Sequence, residues 1–393
     1  MPADKYDVVI VGGGVIGSAV AYFLAADSGF GGTVAVIERD PTYRTASSAL
    51  SASGIRQQYS TPVNIAIGRF GIEFLRAAPD ALAVDGERAG IEVTERGYLF
   101  LGGAESVPLM RENNALQSKL GVPVELLGAN ALATRFRWLS TEGVALGSLG
   151  TADEGWFDGY GLLQAFKRKA RSLGVTYIHG TVGGLVRDGN RITSAVLEDG
   201  SRIGCGAVVN AAGPRARSVA NMAGVALPVE ARCRSVFVLD CRRELPACPL
   251  IIDTSGVWFR PEGQQFIAGL SPPENRDAET FELTVDHAQF EDEIWPALAH
   301  RVPAFESLKV TSSWAGHYEY NSFDQNGIVG PHPDVPNLFL ANGFSGHGLQ
   351  QSPAVGRAIS EWIAHGGTRT LDLSALSVER ILENRPLIER NVI

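Results

Sequence analysis

Cysteine is scarce in this chain, and basic residues are outnumbered. The four cysteines, Cys205, Cys233, Cys241 and Cys248, form no C-x-x-C pair, and no histidines stand at zinc spacing. Neither a structural metal nor a disulfide framework is expected, and a reducing compartment is. Lysine and arginine total 34 against 43 aspartates and glutamates, a formal net charge of −9, and no basic run reverses it locally. This balance argues against nucleic acid or an anionic membrane surface as a partner. No apolar stretch reaches the roughly 18 to 20 residues that cross a bilayer. A soluble, cytoplasmic protein is expected, with peripheral attachment at the inner membrane left open. A secretory signal is not expected, because Asp4 and Asp7 precede the first apolar run and Gly12 to Gly14 interrupt it.

What the chain does have is 393 residues, 45% of them hydrophobic, enough for two domains with full cores. Its first forty residues carry the strongest pattern. Val8 to Val11 read as a strand, Gly12, Gly14 and Gly17 fill a G-x-G-x-x-G turn, Ser18 to Ala26 supply an apolar helix, and Thr33 to Ile37 make a second strand. Glu38 follows 21 residues after Gly17, where an acid can accept from both hydroxyls of an adenosine ribose. Gly12 permits the tight turn, Gly14 lets a pyrophosphate approach the backbone, and Gly17 allows the helix to pack on the strand. Val15 and Ile16 then sit at the helix start, whose unpaired amides and dipole attract the phosphates, and Arg39 adjoins the acid.

The pattern changes after this unit. Residues 42 to 54 are small and polar, with Ser47, Ser48 and Ser51 among them, as suits a loop laid along a ligand. Helices are expected over Val63–Ala77, Ala104–Leu120 and Gly161–Ser172, and a strand over Gly97–Leu101. Short strands are expected over Val175–His179, Gly184–Arg187, Ser194–Leu197 and Ala207–Asn210. Asn210-Ala211-Ala212-Gly213 ends the last of them on minimal side chains, either for close backbone approach to a ligand or as a packing seam. Cys233–Asp240 and Val257–Leu270 alternate like strands of a larger sheet, with a hairpin turn at Pro261-Glu262-Gly263. Trp258 and Arg260 share one face of that sheet, where they would line a pocket. Near the end, Leu338–Ala341 leads into Asn342-Gly343-Phe344-Ser345-Gly346-His347-Gly348 and a helix with Pro353 in its first turn. This is a second glycine loop feeding a helix N-terminus.

Together these segments resemble the FAD-dependent D-amino acid oxidase, sarcosine oxidase and glycine oxidase superfamily over most of the chain. Asn342 to Gly356, with Gly54-Ile55-Arg56-Gln57-Gln58, look most like the FAD-dependent oxidoreductase domain-containing subgroup. The resemblance implies an α/β fold: a Rossmann-like FAD-binding domain of the glutathione-reductase-like second type, and a mixed-sheet α+β substrate domain. It assigns residues 1–60, 150–222 and 321–393 to the first and 61–149 and 223–320 to the second. Val182 is expected to meet adenine through its backbone. Gly343 to Leu349 are expected beside the pyrimidine edge of the flavin, where a helix N-terminus would stabilise negative charge on the reduced ring.

Family membership implies oxidation of a carbon–nitrogen bond, with hydride passing to flavin N5 and an imine left for water. Arg56 matches an arginine that grips the substrate carboxylate, and Gln350 stands where a second, lysine contact would be expected. His317 occupies a position used elsewhere in the family for covalent flavin attachment through cysteine. No cysteine lies near it, so FAD is expected to be non-covalent, with His317 as an acid/base or polarising candidate. His347 is expected to act through its backbone. Ile267 falls where an oxygen-activating lysine would stand, which favours a dehydrogenase passing electrons to a quinone or carrier protein over an oxidase. Two alternatives remain at this level: a 2-hydroxy-acid dehydrogenase using His317 as base, and a flavin-stabilised assembly protein without turnover. Homo-oligomerisation stays open.

Overall fold

The computed structural model describes residues 4–391. Positions 1–3 and 392–393, which belong to the outermost expected domain segments, lie outside the described residues. An eight-stranded sheet is centred on Lys5–Val11, which pairs in parallel with Arg202–Asn210 on one side and Val34–Glu38 on the other. Its inner residues, Val8 to Val11, are buried on both faces, which is why this strand reads as a continuous apolar run rather than an alternating one. Thr176–His179 extends the sheet beyond Val34–Glu38. On the other flank, Arg202–Asn210 pairs through its first half with Arg191–Leu197 and through its last residues with Val335–Asn342. Both glycine loops thus leave parallel strands that flank Arg202–Asn210, at the same end of one sheet, the place where open α/β sheets bind ligands.

The two loops also feed helices that touch. Val15–Ala26 begins three residues earlier than expected, directly at the turn, and packs on Gly348–His365. The approach is so close that a Cβ on Gly356 would stand 2.7 Å from that of Ala19. At the turn, Gly12 has φ +99°, and any side chain there would collide with Ala211 O. Both conformation and proximity therefore require glycine.

A second eight-stranded sheet runs in the order Lys309–Asn321, Val229–Asp240, Gln265–Gly269, Trp258–Glu262, Leu250–Ile252, Tyr98–Gly102, Leu146–Gly150, Val124–Gly128. It is antiparallel except between Leu250–Ile252 and Tyr98–Gly102, hence mixed. Its own core gathers Phe237, Phe259, Phe266, Phe290 and Phe305. The hairpin turn lies further along than the sequence pattern suggests. Pro261 and Glu262 still pair with Phe266 and Gln265, and Gly263, at φ +60°, starts the bend. The expected helix over Ala104–Leu120 opens as a 3-10 turn and becomes α-helical only at Val107.

Candidate functional site

Both glycine loops open on one cavity of about 790 Å³. Gly12, Gly14, Val15, Ile16, Glu38, Arg39, Ser47, Ser48, Ser51, Val182, Ala212 and Gly213 all line it, and so do Gly346, His347, Gly348, Leu349 and Gln350. Gly17 does not line it. That residue lies against Gly12 O, where a side chain would have no room, which is a packing role. Gly343, at φ +75°, also stands back from the cavity and shapes the loop.

Glu38 is fixed at the turn by two backbone donors: Gly13 N donates to Oε2 at 2.7 Å and Asp40 N to Oε1 at 2.8 Å. Its carboxylate is thereby aimed before any ligand arrives, and the lone pairs that remain can take hydroxyls. Ser47 Oγ and Tyr43 Oη, both on the cavity wall, are buried without a hydrogen-bond partner among the described residues. The later loop is braced by the long strand beside it. Ser345 N donates to Glu319 O at 2.9 Å, and Tyr318 Oη donates to Ser345 O at 2.5 Å. Gly346, at φ +84°, lies so close to the Tyr318 ring that a Cβ would overlap it.

Arg56 lines the cavity yet is almost wholly enclosed, at 1% exposure. Its Nη1 donates to Gln58 O at 2.5 Å, and its Nη2 donates to Asn391 O at 2.7 Å and to His347 Nε2 at 3.0 Å. The guanidinium stacks over Tyr59, 4.0 Å from the ring centroid. Burial and the adjacent guanidinium push the His347 imidazole down to about 3. A neutral ring that accepts at Nε2 follows. Gln350 Oε1 accepts from Arg56 N at 3.0 Å, so the two residues paired by sequence do meet, through the backbone of one and the side chain of the other.

The remaining candidates separate. Trp258 lines the cavity, whereas Arg260, on the same strand, does not. The expectation of a shared pocket wall fails for Arg260, because its guanidinium turns to Ala52 O at 3.0 Å, Pro261 O at 2.8 Å and the Glu262 carboxylate. It supports the serine loop from behind. His317 lines the cavity with Nε2 3.2 Å from Phe281 O and Nδ1 3.4 Å from Thr45 O. Carbonyl oxygens only accept, so both ring nitrogens face groups that favour a donor. Cys233 is directly opposite His317 across the sheet ladder, a neighbour that sequence distance conceals; its Sγ faces Thr284 O at 3.6 Å and it is not part of the cavity wall. Ile267 is buried in the sheet, away from the wall.

Three residues at the site escape sequence reasoning. Tyr98 lines the cavity from the strand expected at Gly97–Leu101, and only the fold shows which face it takes. Glu154, enclosed at 0% exposure, accepts from Gln57 N at 2.6 Å, Gln58 N at 3.0 Å and Gln58 Nε2 at 2.7 Å, clamping the loop that carries Arg56. Glu319 lines the cavity with an Oε2 that has no hydrogen-bond partner among the described residues. An acid within the aromatic run 314–320 carries a weak signal, since alternation alone leaves its face undecided.

A helix N-terminus at a glycine turn, a pre-aimed carboxylate, and orphaned buried oxygens at Ser47 and Glu319 fit a dinucleotide with a polar ring. The family described as DAO, FAD dependent oxidoreductase, matches residues 7–362, and the chain belongs to it. It is 45% identical over 428 residues to FAD-dependent oxidoreductase domain-containing protein 1 of Xenopus laevis, covering 100% of this chain and 86% of that one. Sarcosine oxidase subunit beta of Rhizobium meliloti is 27% identical over 93% of this chain and 86% of its own length. Among solved structures, L-proline dehydrogenase from P. horikoshii superposes with a TM-score of 0.87 at 25% identity, over 98% of this chain and 100% of that one.

Proposed function

We propose that this chain is a dehydrogenase that oxidises the carbon–nitrogen bond of an amino acid or secondary amine, with FAD held non-covalently. One observation carries the reading: a single cavity is lined both by the two glycine loops with Glu38 and by Arg56, Tyr98 and Trp258. On this reading residues 1–60, 150–222 and 321–393 hold the cofactor, and residues 61–149 and 223–320 cover it. When bound, FAD supplies the hydride acceptor for the carbon beside the amine. Relatives named for sarcosine and L-proline oxidation support that class of donor.

The chain's own residues bind, orient and exclude water. Gly12 to Ile16 and Glu38 hold the adenosine diphosphate part, Ser47, Ser48, Ser51, Val182, Ala212 and Gly213 follow it, and Gly346 to Gln350 meet the ring. Trp258 and Tyr98 wall off the substrate from water. Arg56 and Gln350 are the candidates for its polar end. An amine fits better than a 2-hydroxy acid, which needs a base with a free lone pair. Both nitrogens of His317 face carbonyls, so it is poorly placed as that base. A structural relative named as an L-proline dehydrogenase supports a quinone or carrier protein over oxygen as acceptor, whereas Ile267, away from the cavity wall, carries no argument either way.

The test is anaerobic bleaching of the purified yellow protein against paired amines and hydroxy acids, followed by reoxidation with a quinone or air. Bleaching by an amine and rapid recovery only with quinone is the expected result. Fast stoichiometric peroxide in air rejects the dehydrogenase assignment, and colour that no amine bleaches favours a non-catalytic role. Acid precipitation is expected to release all flavin into the supernatant; colour retained in the pellet points to a covalent link, with Cys233 the first residue to replace.

A further inference from the structure

Glu319 is a buried carboxylic acid held only weakly, by backbone amides at one oxygen. Its Oε2 is buried and lacks a hydrogen-bond partner among the described residues, while Phe344 N reaches Oε1 at a long 3.5 Å and the Gly343 amide also points to the carboxyl. Gly213 and Gly348 flank the carboxylate: a Cβ on the first would stand 3.7 Å from Oε2, and on the second 3.3 Å from Oε1. Glu319 therefore bridges the turn at the end of Arg202–Asn210 and the later glycine loop, on the wall of the same cavity. Its cross-strand neighbour is Ala231. The charged and titratable groups on the surrounding elements are Glu230 and Arg232, which pair with each other, Arg234, which pairs with Asp277, His317, Tyr318 and Tyr320 on the same strand, Arg215 after the Gly213 turn, and His347. None of them forms an ion pair or hydrogen bond with this carboxylate among the described residues.

We propose that Glu319 meets the bound cofactor as a neutral acid, donating its proton to an acceptor atom of the flavin ring or ribityl chain, and that its ionisation weakens the complex. This rests on FAD occupying the cavity as proposed above. The chemistry follows from the surroundings: burial pushes the carboxyl up to about 7, so the protonated form is populated near neutrality, and only that form can donate. An ionised Glu319 would also oppose negative charge on a reduced flavin. Contact with an acceptor raises the acid's pKa further, so affinity falls as pH rises above that of the free protein.

The experiment compares wild type, Glu319→Gln and Glu319→Ala, each loaded with FAD and titrated by flavin fluorescence between about pH 6 and 9. A glutamine side chain keeps a donor and cannot ionise. Expected is a wild-type Kd that rises toward about tenfold per pH unit above 7, a flat profile in Glu319→Gln, and weaker but equally flat binding in Glu319→Ala. The midpoint potential measured by spectroelectrochemistry is expected to lose the Glu319-linked part of its pH dependence in both variants, keeping the slope that proton uptake by the flavin itself imposes. Parallel pH profiles in wild type and Glu319→Gln overturn the proposal, as does an alanine variant that binds as tightly as the glutamine one. Failure of the wild type to bind FAD at any pH instead overturns the cofactor reading on which it rests. Circular dichroism on each variant separates loss of fold from loss of contact, and a variant that unfolds is replaced by Glu319→Asp, whose shorter acid is expected to titrate but bind less tightly.

Discussion

Nε2 of His347 accepts from the Arg56 guanidinium at 3.0 Å, joining residues 291 positions apart. This contact ties the loop after the serine segment to the loop before the last long helix. It also consumes a donor that the family resemblance would reserve for substrate, because the other bond of the same nitrogen goes to Asn391 O.

Arg56→Met leaves Asn391 O and His347 Nε2 without their donor and takes one of two from Gln58 O, which keeps Asn391 Nδ2 at 2.6 Å. Each buried acceptor left unpaired costs about 1–3 kcal/mol, partly offset by local relaxation. A loss of about 2–4 kcal/mol in urea unfolding is expected, together with a fall in kcat/KM for any amine that bleaches the flavin. A rise in KM with stability unchanged would assign Arg56 to substrate alone.

The fold was largely legible because its glycine loops are set by local chemistry. Gly12 and Gly346 require positive φ and close approach, and both requirements are written in residue type. The site was legible only where it is backbone-built. Arg260 and Trp258 share a strand, yet one faces the cavity and the other reaches behind the serine loop through Ala52 O. The neighbour relation of Cys233 and His317 is likewise a matter of strand register, which depends on pairings 84 residues apart in the chain and leaves no local mark.

Glu154 makes stability depend on pH. Burial pushes its carboxyl up from 4.5 to about 7, so the folded protein keeps a proton that the unfolded chain releases in that interval. Its contribution is complete below about pH 4.5 and is lost as pH rises to 7, an amount on the order of 3 kcal/mol. Urea midpoints of wild type and Glu154→Gln at successive pH values provide the check. The wild-type advantage is expected to shrink between about pH 5 and 7 and then level off; a constant difference would show that the group stays ionised.

Gly346→Ala is expected to abolish flavin retention while leaving the sheets intact. The residue sits at φ +84° and its added methyl would press into the Tyr318 ring, whose hydroxyl holds Ser345 O. The loop must move, at about 1–3 kcal/mol for the backbone strain alone. Colourless protein with wild-type circular dichroism is the predicted outcome, and a yellow variant of normal affinity would show that the loop does not contact the ring.

Trp258 and Arg260 offer the sharpest separation between a pocket wall and a support. Trp258 borders the cavity, and its indole packs over Gly269, where a Cβ would stand 2.7 Å from the ring. Trp258→Phe shortens that wall without unpairing any buried donor, so KM is expected to change several-fold with little effect on unfolding. Arg260 is 4% exposed, lies 5.3 Å from the centroid of Trp156, and gives its guanidinium to Ala52 O and Pro261 O. Arg260→Ala strips those acceptors and opens a void, which predicts about 2–4 kcal/mol of destabilisation. Because Ala52 lies in the loop that carries Ser47, Ser48 and Ser51, flavin affinity should fall with it while the KM of the loaded enzyme stays near wild type. The opposite result, KM moving for Arg260 and stability for Trp258, would overturn the assignment of Trp258 to the wall and Arg260 to the support.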